Sequence, residues 1–173
     1  HNPVGRVWSK EELRQFSEIC SRHGVLVVSD EIHGDLILPG HCLVSYGLLD
    51  REQTESSIIC TAASKTFNLA GLKTSNLVIR NPDLRTRMKN EIRATGLWGL
   101  NPLGLVATQA AYEAGEPWLQ KVIEYIAGNH NFLAHYINEH IPQLQVIPSE
   151  ATYLAWIDCR KLGLGEMELG RMM

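Results

Sequence analysis

Val25-Leu-Val-Val-Ser29-Asp30-Glu31-Ile32-His33-Gly34-Asp35 and, further on, Ser57-Ile-Ile-Cys-Thr61-Ala-Ala-Ser64-Lys65-Thr66-Phe67-Asn68-Leu-Ala-Gly71 decide the fold. Each begins with a short apolar, largely β-branched run without polar alternation, the pattern of a strand buried on both faces as in a parallel sheet. Each run gives way to polar and ionisable residues. A third run, Asn76-Leu-Val-Ile79, stops at Asn81-Pro82-Asp83.

Helical patterns fill the intervals. Ser9-Lys-Glu-Glu12 fits a capping box, Leu13, Phe16, Ile19 and Cys20 give the following helix an apolar face, and Gly24 is its stop. Asp83 is the expected N-cap of a charged helix through about Arg93. Further helices are predicted from about Pro102 to Ala114 and from about Pro117 to His140, the second closed by Ile141-Pro142. Gln145-Val-Ile147 and Thr152-Tyr-Leu-Ala-Trp-Ile157 read as strands. Buried strands alternating with helices predict an α/β sheet, and ligands of such sheets gather at the carboxyl ends of strands. The shift in composition between Leu133 and Pro142 predicts a large domain over 1–137 and the start of a smaller one over 138–173.

The chain has 173 residues, 45% of them apolar and 20% charged, as in soluble globular domains. With 16 Lys+Arg against 19 Asp+Glu the formal charge is −3, so nothing electrostatic points to nucleic acid or an anionic membrane as partner. The longest uncharged stretch, Ala94 to Tyr112, is interrupted by Gly96, Gly99, Asn101, Pro102 and Gly104, which argues against a membrane span. The chain opens at His1-Asn2-Pro3 and stops at Met173 in a helix-like segment, and is expected to be an internal piece of a longer protein. Cys20, Cys42, Cys60 and Cys159 form no C-x-x-C pair and are expected to be buried, reduced thiols of a cytosolic protein. His130, His135 and His140 are spread around one helix by about 140° per step, which argues against a metal site. No G-x-G-x-x-G follows a strand, which disfavours a Rossmann dehydrogenase.

A carboxylate at one strand end and a lysine at another share a cleft if the strands are close. Burial disfavours the charged lysine, and a neutral amine is what Schiff-base chemistry requires. On the residues alone, Lys65 also fits a solvated loop lysine, Asp30-Glu31 a helix cap, and Asn2-Pro3-Val4-Gly5 an ordinary turn.

Taken together, Asn2-Pro3-Val4-Gly5, Asp30-Glu31-Ile32-His33 and Ser64-Lys65-Thr66-Phe67-Asn68 resemble, in order and spacing, the large domain of the aspartate-aminotransferase superfamily (class I/II), fold type I of the pyridoxal-phosphate enzymes. The run through Gly71, Asn2-Pro-Val-Gly-Arg-Val-Trp8 and Glu150-Ala-Thr-Tyr-Leu-Ala-Trp-Ile-Asp158 resemble its cystathionine β-lyase/cystalysin branch of C–S lyases. The resemblance implies a three-layer α/β/α sheet followed by the start of a smaller α+β domain. It implies that Lys65 bonds the aldehyde of pyridoxal 5'-phosphate and then removes the substrate Cα proton, while Asp30 faces the pyridine nitrogen. Asn2 would hydrogen-bond the cofactor's ring oxygen, with Pro3 after a cis bond, and Ile32 would pack beneath the ring. His33 stands where aminotransferases have a tyrosine, and is either a donor to that oxygen or a structural histidine.

Ala62 and Lys73 replace a serine and an arginine common in aminotransferases, leaving Ser64 to hold phosphate and Lys73 as a point charge or a surface lysine. Trp98 matches a stretch that lies near the partner's active site in family dimers, or is a core tryptophan. The implied whole is a cytosolic homodimer that cleaves a β C–S bond of a small amino acid to pyruvate, ammonia and a thiol. An aminotransferase, and a non-catalytic fragment or regulatory homologue, are the alternatives.

Overall fold

The computed structural model describes residues 1–97 and 99–172, so the expectation for Trp98 lies outside the described residues. Helix α1 spans Lys10–Arg22. Its capping box forms as expected: Ser9 Oγ accepts from the Glu12 N–H at 3.3 Å and Glu12 Oε2 accepts from the Ser9 N–H at 2.9 Å. The covered side of α1 is not the one the periodicity suggested. Leu13 and Cys20 pack against Val27, Tyr46 and Leu49, and Ser17 is buried between them in sequence, whereas Phe16 and Ile19 are exposed.

Strand β1 (Val27–Asp30) is followed by the one-turn helix α2 (Arg51–Thr54) and strand β2 (Ser57–Thr61). A second one-turn helix, α3 (Ala63–Thr66), precedes strand β3 (Asn76–Val78). The sheet order is β1-β2-β3, with β1 parallel to β2 and Asp30 opposite Cys60. Two expectations are corrected. First, β3 runs antiparallel to β2, because the linker folds into α3 and a 3₁₀ turn at Ala70–Leu72 instead of the helix that a parallel crossover needs. Second, the first apolar run is not buried on both faces: in β1 Val27 is covered but Val28 is exposed, and Val25 and Leu26 ahead of the strand are exposed too.

Helix α4 (Pro82–Ala94) is capped by Asn81, not by Asp83 as expected. Asn81 Oδ1 accepts from the N–H groups of Asp83 and Leu84 at 2.9 and 3.1 Å, and Pro82, which has no N–H, fills the first helical position. Helix α5 spans Pro102–Ala114, and the long α6 runs unbroken over Glu116–His140. The main core lies where Leu36 and Leu38 of the loop after β1 pack on Leu119, Ile123 and Ile126 of α6.

Strands β4 (Gln145–Ile147) and β5 (Trp156–Asp158) form an antiparallel pair, and α7 (Glu166–Met172) follows. The strand expected from Thr152 onward begins only at Trp156. Thr152 is fully buried at φ +70°, a left-handed backbone that interrupts extended structure. Its segment binds elsewhere: Gly5 O accepts from the N–H groups of Glu150 and Ala151 at 2.8 and 2.9 Å, and Leu36 O accepts from Thr152 N–H at 2.7 Å. The four cysteines are free thiols as expected, yet they are not buried: Cys42 is exposed and the others are partly so.

Gly5 makes this docking possible. Its φ is +74°, and a Cβ there would sit 2.6 Å from Ser149 Oγ and 3.1 Å from Ala151 O. Gly5→Ala is expected to destabilise the protein by about 2 kcal/mol, from left-handed strain and the clash together. Urea unfolding of the intact protein measures it; an unchanged midpoint would show that the contact yields without cost.

Candidate active site

Because β1 and β2 are parallel, their carboxyl ends fall at one end of the sheet, and the ionisable residues of both motifs follow from there. The two adjacent carboxylates after β1 have separate tasks. Glu31 Oε1 accepts from the Tyr46 N–H at 2.8 Å and from the Ser29 hydroxyl at 3.1 Å, so it holds the loop. Asp30 Oδ1 accepts only from the Ile32 N–H, at 3.3 Å, among the described residues. Asp30 is therefore the carboxylate with capacity for a ligand.

The Asn2-Pro3 bond is cis, as the resemblance implies. The turn it belongs to brings Asn2 Nδ2 to 3.4 Å from His33 Nε2. With Nε2 accepting from the amide, the ring proton resides on Nδ1. His33 Nδ1 is buried and has no hydrogen-bond partner among the described residues. Leaving a buried donor unpaired costs about 1–3 kcal/mol. Burial, then the nearby charge of Lys65, pushes the His33 pKa below its ordinary value, against a smaller opposing pull from Asp30. The imidazole is thus neutral near pH 7.

Lys65 sits on α3, directly beyond β2. It lines a cavity of about 290 Å³ with Ser64, Asn68, Trp118 and Tyr153 among others. Asn2, Asp30, Ile32 and His33 line a second, larger cavity of about 710 Å³, much of whose wall is the apolar surface of α1 and β1. The sequence-predicted residues are therefore gathered in two groups. His33 is the link between them: it feels the charges of both Asp30 and Lys65, and its ring lies 5.5 Å from that of Tyr153 in the Lys65 cavity.

Lys73 is not brought to this place. It is exposed and ends the Ala70–Leu72 turn in a left-handed conformation at φ +51°, while Ala62 is buried ahead of α3. His130 bonds the Thr152 carbonyl at 3.1 Å, whereas His135 and His140 lie beside Glu139. Tyr153 was missed by residue reasoning. Its one signal is membership of the Glu150–Asp158 stretch, which alone gives no reason to place it beside Lys65.

The comparisons fit this arrangement. Residues 1–173 match the family model for aminotransferase class I and II, and the chain belongs to that family. It is 40% identical over its whole length to the cystathionine beta-lyase PatB of Bacillus subtilis, of which it covers 45%. The crystal structure of cystalysin from Treponema denticola, which contains pyridoxal 5'-phosphate, superposes with a TM-score of 0.97 at 36% identity, covering 100% of this chain and 44% of that one. The PLP-bound C-S lyase from Staphylococcus hominis gives 0.84 at 37% identity, with 96% and 42% covered. The chain thus spans less than half the length of these relatives, as expected of an internal piece. No helix among the described residues is long and apolar enough to cross a membrane.

Proposed function

We propose that this chain is the core of a pyridoxal-phosphate enzyme that eliminates a thiol from the β-carbon of a small amino acid such as cystathionine. The observation that carries the reading is the parallel pairing of β1 and β2, which puts Asp30 and the turn bearing Lys65 at one end of the sheet, with His33 under the charge of both. The residues fit the cofactor by their chemistry: an amine, a carboxylate with free capacity, and an amide and an imidazole that could serve a ring oxygen. Bound pyridoxal phosphate supplies an electron sink conjugated with the substrate Cα.

Lys65 would hold the cofactor through its aldehyde and, once freed by the substrate amine, would take the Cα proton. The negative charge of Asp30 would favour a proton on the pyridine nitrogen. Asn2 and His33 would donate to the ring oxygen, and Ser64 would bind phosphate. The electron pair left at Cα forms the Cα–Cβ double bond as the thiolate departs from Cβ, and the three-carbon remainder is hydrolysed to pyruvate and ammonia. Residues 1–137 form part of the cofactor domain and 138–173 open the smaller one, in a cytosolic homodimer. The relatives named as cystathionine β-lyase and C–S lyase support this branch.

The test uses the full-length protein with cystathionine and no added keto acid. Pyruvate release with matching ammonia is the expected result. A strict keto-acid requirement rejects the lyase in favour of an aminotransferase.

A further inference from the structure

Thr66, next to Lys65 on α3, is 1% exposed. Its hydroxyl donates to Asp35 Oδ2 at 2.8 Å. Asp35 closes the loop that begins at Asp30 and carries His33. The Tyr112 phenol of α5 donates to the same Oδ2 at 3.5 Å, and its ring meets Phe67 edge-on, with ring centroids 5.6 Å apart. One carboxylate thus joins the Asp30–His33 loop, the Lys65 turn and α5.

The need for such a tie follows from the size of α3. A helix of one turn lacks the cooperative bonding that stiffens longer helices, so contacts outside it set its orientation. The Thr66 hydroxyl is cut off from water, and losing its acceptor leaves it unsatisfied. Burial and the Asp35 charge raise the Tyr112 pKa, which keeps that phenol protonated as a second donor.

We propose that Asp35 is a positioning residue: through the buried Thr66 hydroxyl it fixes the turn bearing Lys65 relative to the loop bearing Asp30 and His33. The inference rests on the reading of Lys65 given under Proposed function.

The test uses the full-length protein loaded with pyridoxal phosphate, following its visible absorbance against pH beside kcat and KM for cystathionine. Asp35→Ala and Thr66→Val are each expected to move the absorbance midpoint in the same direction by about half a pH unit or more, and to lower kcat about tenfold with KM held within about twofold. The double variant is expected to be no worse than Asp35→Ala alone, because that variant already removes the Thr66 bond along with the one from Tyr112. Asp35→Asn, which keeps an acceptor, and Thr66→Ser, which keeps the donor, are expected to restore both readouts.

Midpoints that stay at the wild-type value, additive losses, or no recovery in the Asn and Ser variants overturn the proposal. Should Asp35→Ala fail to fold, Thr66→Val paired with Thr66→Ser decides alone. Borohydride reduction of the loaded wild type, with mapping of the fixed label, separates the two levels. Label away from Lys65 removes the underlying reading, while label on Lys65 with unmoved midpoints removes only the role of Asp35.

Discussion

Lys65→Ala is expected to lower kcat for cystathionine about ten-thousandfold, the upper range for loss of a positioned general base, and to abolish borohydride fixation of the cofactor. On the proposed reading two functions leave together, since the same amine would hold the cofactor and take the Cα proton. A small primary amine added to the solution is expected to restore part of the rate, because it supplies the missing base. Folding is expected to be little affected: no hydrogen bond or ion pair to the Lys65 amine occurs among the described residues, so removing it strands no partner. Single-turnover kinetics and circular dichroism on the full-length protein check both halves. A variant that keeps more than about a tenth of the wild-type kcat would sink the assignment.

Asp30→Asn is expected to lower kcat about a hundred- to a thousandfold, the range for removing one preorganised electrostatic contact, with a smaller loss in Asp30→Glu. On the same reading, the amide keeps the shape and loses the charge that would hold a proton on the pyridine nitrogen. Glu31→Ala supplies the contrast. Glu31 is engaged with the Tyr46 N–H and the Ser29 hydroxyl, so its replacement is expected to reduce stability by about 1–3 kcal/mol and leave kcat near wild type. The reverse pattern, with activity lost at Glu31 and kept at Asp30, would exchange the roles of the two carboxylates.

Neighbouring acids illustrate the reach of sequence reading. Asp30 and Glu31 are equivalent as letters, and the motif favours Asp30 through its position. The physical reason appears only when Tyr46, a residue of the following loop, is seen to occupy Glu31. Elements whose causes are local were legible in the same sense. The Ser9–Glu12 box, β2 and α5 depend on bonds or patterns within a few residues, and α5 and β2 lie at the residues expected.

In two departures of the reading from the structure the cause is distant in sequence. Periodicity put Phe16 and Ile19 inward, but packing against Tyr46 and Leu49 turned α1 toward Leu13, Ser17 and Cys20. Alternation ran a strand from Thr152, but Gly5 and Leu36 take the backbone bonds of that segment and hold Thr152 left-handed. Other departures are local: the antiparallel return of β3 follows from how the adjoining linker folds, and the cap of α4 falls at Asn81, two residues before Asp83.

By itself the sequence determined the family, the α/β class and the identities of Asn2, Asp30, His33, Ser64 and Lys65 as candidates, because their types and order record the chemistry each can perform. Only the tertiary structure decided which groups remain available. It engaged Glu31, left Asp30 with a single backbone contact among the described residues, set Tyr153 in the cavity that Lys65 lines and anchored Thr66 to Asp35. Availability depends on which hydrogen-bonding capacity the fold has already satisfied, and that is settled by segments brought together from far along the chain.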